Sequence, residues 1–415
     1  MMTVQEMKAA ACAAIDKHAD EIIELAVAIE NEPELGFKEF KTAKKVQAAL
    51  DKVGFAHKDG QAVTGIITEV PGRNHNAKVA VMGELDAVVV PGCPTADPVT
   101  NAAHSCGHNA QAASVVGVAW ALKESGIMDE LDGDVALMHV PAEEYVEIEY
   151  RKSLIDEGKI KLLGGKQEFI RLGLMDDTDV MIMQHTMTSE NEGKKYLGDA
   201  GTEKSLGFVG RLVKYTGKAS HAASPWEGIN ALKAAQVGMA AIDAQRETFR
   251  PEDTVFVHPI VTKGGDLVNV VPSDVRIETY VRANNVDAIL SNAVKVDRSF
   301  QAGADAIGAN VEITKLPGYM CPHCCRELKD LVYDNLCDFF GKDKVDYGGA
   351  EVCTDAGDVE SIIPSCHMMI GVMKPPSLSR VIIVQRNTVK LMAAISAVSM
   401  PCFFTALPIA VLVTA

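Results

Sequence analysis

The stretch Asp134-Val-Ala-Leu-Met-His-Val-Pro-Ala-Glu-Glu144 combines a predicted buried strand with two adjacent carboxylates. Its apolar part has the length and composition of a strand inside a sheet, and Glu143 and Glu144 follow where that strand ends. A second apolar run, Val180–Gln184, is followed by His185 in the same way. Because sites in parallel sheets gather at the carboxyl ends of strands, both ends are candidate site positions.

A third segment with metal-binding side chains is Asn101–Asn109, in which Cys106 and His108 are separated by one glycine. A thiolate and an imidazole at this spacing can bind one metal ion or share two. Taken alone, such a cysteine is more often a buried structural thiol, and a glutamate pair is more often a solvated acidic turn. Because the Cys-Gly-His segment, the glutamate pair and His185 occur together and in order, they favour a metallohydrolase.

Strand-like and helix-like runs alternate over the first half of the chain, which is typical of a mostly parallel sheet with helices on both faces. The predicted strands are 63–70, 78–83, 134–140 and 179–184, and the predicted helix is 109–124. From 206 to 316 the order is strand, helix, strand, strand, helix, strand, which is the ferredoxin-like arrangement. The predicted fold class is therefore α/β, with a mostly parallel-sheet catalytic domain (1–203 and 313–415) and an inserted ferredoxin-like (βαββαβ) dimerisation or lid domain (204–312).

Composition limits the classes of function. The chain has 415 residues, more than one simple core requires, so two domains are expected. Its net charge of −16 argues against a nucleic-acid partner. The ten cysteines have no disulfide-framework spacing, which favours reduced thiols and a cytoplasmic location. Residues 1–28 contain no long apolar run, so no signal peptide is predicted there.

Several other polar residues are candidates for supporting roles. Asp86 ends a predicted strand and could orient a metal ligand or a water molecule, although an ordinary acidic turn is the simpler interpretation. His221, in a loop of the inserted domain, could donate to an oxyanion or have no function. Asn269 and Arg282 could bind a substrate carboxylate. The cluster Cys321-Pro-His-Cys-Cys325 has no properly spaced second pair and is interpreted mainly as loop thiols.

The segment 391–415 contains no charged residue and is long enough to span a bilayer, although Pro401 and Pro408 interrupt it. A packed terminal helix, a membrane anchor and a terminus altered by a change of reading frame are the three interpretations. A membrane anchor is the less favoured of them. A frame change near Lys374 is the preferred hypothesis.

Seven short motifs occur along the chain in the order of a known family. They are Gly83-Glu-Leu-Asp-Ala87, His104-Ser-Cys-Gly-His-Asn109, Pro141-Ala-Glu-Glu144, Gln184-His185, Gly217–Gly228, Val268-Asn-Val-Val-Pro272 and Thr354-Asp-Ala-Gly-Asp358. Together they resemble the metal-dependent aminoacylase and carboxypeptidase superfamily, in its amidohydrolase branch. That branch includes hippurate, indole-acetyl-amino-acid and aminobenzoyl-glutamate hydrolases. The resemblance extends from about residue 15 to about residue 372.

The resemblance implies a role for each matching residue. Glu143 would be the general base, and His221 would reach across a homodimer toward the partner's substrate. Two divalent ions, zinc or manganese, would bind to each chain. The implied activity is cleavage of the amide bond of N-acyl or N-aroyl amino acids, such as aminobenzoyl-glutamate-like compounds. The implied metal ligands are Cys106, which would bridge the two ions, His108, Glu144 and His185.

One departure from the family bears on this expectation. Family members carry a fifth ligand, a histidine, in a Gly-rich segment near the carboxyl end, whereas no histidine follows His367 here. His367 itself matches a non-ligand position. A second hypothesis is therefore a catalytically impaired or regulatory member that keeps the fold but binds metal poorly. A hydrolase tethered to a membrane by 391–415 is a weaker third.

Overall fold

The computed structural model describes residues 2–188, 190–191, 194–195, 198–201, 205–348 and 353–372. The interpretations of the segment 391–415, and the frame change near Lys374, concern residues outside these ranges. Among the helices of the described residues, none combines the length and the apolar composition needed to cross a membrane.

The helices of the described residues are numbered in chain order. They are α1 (Val4–Lys17), α2 (Ala19–Glu30), α3 (Phe40–Val53), α4 (His108–Glu124), α5 (Ile148–Asp156), α6 (Gly165–Arg171), α7 (Ala231–Gln245), α8 (Val286–Ile307), α9 (Arg326–Phe340) and α10 (Ala356–Glu360).

The strands are numbered in the same way. They are β1 (Lys58–Gln61), β2 (Gly65–Val70), β3 (Lys78–Glu84), β4 (Val88–Val89), β5 (Ala102–Ala103), β6 (Asp134–Val140), β7 (Val180–Thr188), β8 (Glu190–Asn191), β9 (Lys194–Lys195), β10 (Gly198–Asp199), β11 (Gly207–Thr216), β12 (Phe256–Val257), β13 (Ile260–Lys263), β14 (Asp274–Ala283), β15 (Asn310–Leu316), β16 (Val345–Asp346) and β17 (Ser365–Val372).

The chain divides into two compact units, the first comprising Met1–Glu203 with His323–Ala415 and the second Lys204–Pro322. The second boundary of the inserted unit differs from the one expected at residue 312. The reason is that β15 pairs with β11 along its whole length, from Asn310 to Leu316, which ties this segment to the inserted unit. The first unit therefore resumes at His323.

The main sheet of the first unit has the strand order β1-β2-β6-β3-β7-β17-β10-β16. Its centre is parallel, because β6 pairs with β3, β3 with β7 and β7 with β17 in that sense. The strands β1 and β2 add an antiparallel edge. The prediction of an α/β fold with a mainly parallel sheet is confirmed.

Helices cover both faces of this sheet, and alternate residues of its strands point to opposite sides. In β3, Val79 and Val81 pack in a core with the first four helices and α9, whereas Ala80 and Met82 pack with Phe169 of α6. Because both faces are buried, the central strands are almost continuously apolar. This arrangement brings the polar residues that follow the strands to one edge of the sheet.

The second unit is an antiparallel sheet with the order β12-β14-β11-β15, and β13 also pairs with β14. Two helices, α7 and α8, pack with this sheet around Tyr215 and Phe300. The two helices cross closely at Gly303, where an added Cβ would lie only 2.6 Å from the backbone nitrogen of Gly238. The strand order and the sequence of elements are those of the expected ferredoxin-like arrangement.

Candidate metal centre

Six side chains with metal-binding chemistry lie at the carboxyl edge of β3, β6 and β7 in the first unit. Glu84 is the last residue of β3, and the pair Glu143–Glu144 follows β6. His185 lies inside β7, which continues to residue 188 rather than ending at 184 as expected. Cys106 comes just before α4, and His108 is the first residue of that helix. The loop that leads into α4 thus delivers two candidate ligands to the ends of three strands.

Two groups of side chains among the described residues have the spacing of a metal site. In the first, the ligand atoms of Cys106, His108 and His185 all lie within 4.8 Å of one another. The Cys106 Sγ atom is 3.4 Å from His185 Nε2, and the two imidazole rings are 5.5 Å apart between centroids. Glu84, His108 and Glu143 form the second group. Since His108 belongs to both groups, they form one continuous cluster of candidate ligands.

Gly107 separates the first two of these ligands, and its conformation excludes other residues. Its φ is +88°, a value that L side chains rarely adopt. A Cβ at this position would also lie 2.3 Å from Thr186 Oγ1. That hydroxyl donates a hydrogen bond to the carbonyl oxygen of Cys106, at 3.0 Å. The glycine is therefore required for Cys106 and His108 to approach β7.

Asp86, which lies two residues after β3, contacts two parts of the site. Its backbone carbonyl oxygen lies 2.9 Å from His108 Nδ1, so the imidazole donates from that nitrogen. The opposite nitrogen, Nε2, then faces Glu84 Oε2 at 2.9 Å. The Asp86 side chain accepts a hydrogen bond from the backbone N–H of Glu144, at 2.9 Å. One residue thus fixes both an imidazole and the turn that carries the glutamates.

That turn is built by buried groups that the sequence pattern did not single out. Ala142 has a φ of +54°, which is strained for alanine. Its N–H donates to the buried Glu39 carboxyl group, and the fully buried Arg151 donates to the carbonyl oxygens of Ala142 and Glu144. Burial, and next the charge of Asp86, raise the pKa of Glu39 to about 8.

The electrostatics of the site fit a divalent cation. Burial would raise the pKa of the Cys106 thiol, but the neighbouring imidazoles of His185 and His108 lower it to about 5. Burial and the charge of Glu84 hold the pKa of Glu143 well above its usual range. Among the described residues, the buried atoms Glu84 Oε2 and His108 Nε2 have no hydrogen-bond partner. A thiolate, imidazoles and carboxylates around such atoms are the donor set that zinc and related ions prefer.

Glu144 stands apart from the two groups with metal-site spacing. The residue is partly exposed. Burial, and next the charge of the Cys106 thiolate, raise the pKa of its carboxyl group. The side chain is therefore close to Cys106. Its assignment as a ligand stays a prediction.

Two further charged residues, which the sequence pattern did not predict, reach the site. Lys166, at the start of α6, is fully buried and forms ion pairs with Glu84 and with Asp355, the residue before α10. No spacing in the sequence connects these three positions. The only available signals were the strand-end position of Glu84 and the motif Thr354-Asp-Ala-Gly-Asp358, which contains Asp355.

The candidate residues of the inserted unit do not all converge within that unit. His221 and Asn269 are exposed and lie on adjacent segments, since the N–H of Ala222 donates to the Asn269 carbonyl oxygen at 3.0 Å. Arg282 lies near the opposite end of the sheet, where its guanidinium group stacks on the rings of Phe208 and Tyr280. Eight residues of β14 separate the two ends, roughly 26 Å of extended chain. Within this unit, Asn269 and Arg282 cannot bind the same carboxylate.

The cysteine cluster 321–325 is divided between the units. Cys321 belongs to the inserted unit, whereas Cys324 and Cys325 belong to the first. None of them is in a group with metal-site spacing among the described residues. His367 is buried on β17, with its ring 5.8 Å from that of His185.

The match to a family model decides the relationship of this chain to known proteins. Residues 80–380 match the model for the peptidase family M20/M25/M40. The chain belongs to this family. The match includes all the candidate metal ligands and the whole inserted unit.

Two curated relatives give the level of similarity within the M20 family. The Xaa-Arg dipeptidase of Mus musculus is 31% identical over 278 residues, which are 64% of this chain and 56% of that protein. The IAA-amino acid hydrolase ILR1-like 4 of Arabidopsis thaliana is 28% identical over 291 residues, which are 68% of this chain and 61% of that protein. The chain thus spans little more than half the length of these relatives.

Two solved structures illustrate the similarity of fold. An aminobenzoyl-glutamate utilization protein from Klebsiella pneumoniae has a TM-score of 0.70 and 17% identity, with 94% of this chain and 98% of that chain covered. A dinuclear metal-binding peptidase of the M20 family from Bacillus subtilis has a TM-score of 0.67 and 18% identity, with 96% and 100% covered. At these identities the likeness concerns the fold.

Proposed function

We propose that this M20-family chain is a metal-dependent amidohydrolase that cleaves the amide bond of N-acyl or N-aroyl amino acids, including aminobenzoyl-glutamate-like compounds. The observation that carries the proposal is the group formed by Cys106, His108 and His185 at the carboxyl edge of the sheet. Two divalent ions, zinc or manganese, would be held by these residues together with Glu144. The names of the IAA-amino acid hydrolase and aminobenzoyl-glutamate relatives support the substrate class.

In the proposed mechanism, Cys106, His108, Glu144 and His185 would hold the ions, whose chemistry would be to polarise the substrate carbonyl and lower the pKa of a water molecule. Glu143 takes the proton of this water and delivers it to the nitrogen of the leaving amine. Its raised pKa suits this role, because it makes the carboxylate a stronger base than a solvated glutamate. Asp86 holds the His108 ring and the turn of Glu143 in a fixed geometry throughout.

The inserted unit would supply the remaining contacts in a homodimer. His221 and its neighbour Asn269 are exposed on one end of that unit, where they could reach the substrate of a partner. The exposed apolar side chains of Phe256 and Ile260, near the edge of the same sheet, support association with a second copy. A small-molecule substrate, a cytoplasmic location and no nucleic-acid partner complete the proposal.

Substitution of Glu143 by Gln tests the assignment of the base. The variant should bind divalent ions as the wild type does, but its kcat on N-acyl amino acids should fall by about 100-fold or more, because general-base catalysis is lost. Glu149→Gln, the same change at an exposed position on α5, is the matched control and should leave kcat unchanged. A Glu143→Gln variant with wild-type turnover would refute the assignment.

The second candidate is a catalytically impaired or regulatory member. The sequence observation that favours it is the absence of any histidine after His367. Elemental analysis after dialysis against zinc or manganese separates the two. About two tightly bound ions per chain support the hydrolase, whereas a chain that binds none supports the impaired member.

A further inference from the structure

Lys166 is a fully buried cation of the first unit that the proposed mechanism leaves without a task. Its side chain has no exposed area, and its Nζ atom contacts both Glu84 Oε1 and Asp355 Oδ1. The backbone N–H of Lys166 also donates to Asp355 Oδ2, at 2.9 Å. An ammonium group is costly to bury, and such a group is retained only where carboxylates compensate for it.

The start of α6, which carries this ammonium group, lies against the turn that contains Glu143 and Glu144. The N–H of Gly165 donates to the carbonyl oxygen of Ala142 at 3.3 Å. A Cβ at Gly165 would lie only 1.7 Å from the carbonyl oxygen of Pro141, so the helix approaches the turn as closely as a backbone can. The first side chain after this glycine is Lys166. The Lys166 side chain therefore begins next to the turn that leads to Glu143.

Glu84 connects the lysine to the candidate metal ligands. One of its carboxylate oxygens is taken by Lys166, and the other faces His108 Nε2 at 2.9 Å. The chain of contacts thus runs from Asp355 through Lys166 and Glu84 to the imidazole shared by both ligand groups.

We propose that Lys166 is a positioning residue of the metal centre, which holds the free oxygen of Glu84 beside His108 Nε2 by tying the carboxylate to Asp355. This inference rests on the proposed metal-dependent function. The lysine contributes a permanent cation that occupies one oxygen of Glu84, so that the other oxygen stays 2.9 Å from His108 Nε2, where both atoms could bind the same ion. These contacts join three segments that are far apart in the chain, namely the carboxyl end of β3, the start of α6 and the residue before α10.

The test is the affinity of the purified full-length protein for zinc, measured by competition with a chromophoric chelator. Lys166→Met should weaken binding by about 10-fold or more, the usual effect of removing a group that orients a ligand. Lys329→Met is the matched control, because Lys329 on α9 is also a buried lysine of the first unit. The control should change zinc affinity by less than about twofold, even where it costs stability.

A double variant separates positioning from simple charge balance. Lys166→Met with Asp355→Asn removes the ammonium group together with one of the carboxylates that it compensates. Positioning predicts that the double variant regains stability over Lys166→Met, as measured by urea unfolding, while its zinc affinity stays low. Recovery of wild-type affinity would overturn the inference, because compensation of charge would then be the whole role of the lysine.

Two further outcomes keep this inference distinct from the proposed function. Asp355→Asn alone keeps the lysine and loses its second anchor, and it should weaken zinc binding measurably even where Lys166→Met does not fold. If the wild type binds zinc and both single variants bind it equally well, the inference fails and the proposed function stands. If the wild type binds neither zinc nor manganese, the proposed function fails and the inference with it.

Discussion

At the scale of single residues, the candidate site depends on positions where a side chain has no room. Gly107 combines a left-handed φ with contact to Thr186, and both features are imposed by the two ligands that flank it. At Gly165 the absence of a side chain lets α6 approach Pro141. Close packing at these glycines is what brings polar groups from separate segments within bonding distance of one another.

Substitution of Gly107 by Ala should lower both stability and zinc affinity. Gly126→Ala is the matched control, since Gly126 has a φ of +73° but a Cβ added there would meet nothing within 4 Å. Both variants lose about 1–2 kcal/mol to the left-handed backbone. Only Gly107→Ala adds the clash with Thr186, about 1–3 kcal/mol more. Urea unfolding and zinc titration measure the difference, and equal effects in both variants would contradict it.

Glu360 gives a prediction for pH dependence. Burial raises its pKa to about 8, whereas an unfolded chain has a glutamate pKa of about 4.3. Between these values the folded state binds more protons than the unfolded state, so the free energy of unfolding falls as pH rises through this window. The loss has a slope of at most about 1.4 kcal/mol per pH unit.

Glu360→Gln removes this titration while keeping an oxygen that accepts from the N–H of His323. The free energy of unfolding, measured by urea at a series of pH values, should therefore fall less steeply in the variant between about pH 5 and 8. Parallel curves for the two proteins would show that the carboxyl group does not titrate in this range.

At this scale the sequence indicated the candidate ligands and one candidate supporting residue, Asp86, but not the buried cations Lys166 and Arg151. Cys106, His108 and His185 come together because each is next to a recognisable strand or helix end. Lys166 and Arg151 could not be predicted, since a lysine or arginine in a short polar helix is usually solvated. Their burial depends on contacts with residues far away in the chain.

At the scale of elements, one arginine of α5 donates hydrogen bonds to the turn between β6 and α5. Arg151 Nη1 lies 2.5 Å from the carbonyl oxygen of Leu163, and the same guanidinium group reaches those of Ala142 and Glu144. These contacts support a turn that contains a strained alanine and the proposed base. The turn therefore depends on α5 as much as on the strand that precedes it.

Arg151→Met should cost about 3–5 kcal/mol of stability, because buried carbonyl groups lose their donors. It should also lower kcat, since the glutamate turn is no longer fixed. Arg211→Met in the inserted unit is the control, because Arg211 is likewise buried and pairs with Asp297. Its kcat should stay near the wild-type value. The measurements are urea unfolding and steady-state kinetics.

The sequence pattern located the long elements well and the short ones poorly. Strands such as β3 and β6 were predicted within one or two residues, because a strand buried on both faces has a continuous apolar run. The place of β17 between β7 and β10 is set by tertiary pairing, which periodicity does not report. Helices of five to seven residues, such as α10 and α6, contain too few turns for a helical pattern to emerge.

At the scale of the whole molecule, the inserted unit has a core of its own around Tyr215 and Phe300. We expect residues 204–322, expressed alone, to fold cooperatively, because this segment is continuous and its sheet is complete. Its melting temperature should not change on addition of zinc, since the candidate ligands lie in the other unit. Circular dichroism with and without zinc measures both, and a fragment without a cooperative transition would contradict the expectation.

The interrupted first unit also has a consequence during synthesis. Met181 in β7 pairs with Ser365 in β17, 184 positions later, and seven further register pairs follow. At roughly 5–20 residues per second, a ribosome needs about 10–40 seconds to add that much chain. Throughout this interval one edge of β7, the strand that carries His185, has no partner on the nascent chain. An open strand edge is a template for aggregation, so the yield of this protein in cells should depend on chaperones that protect nascent chains.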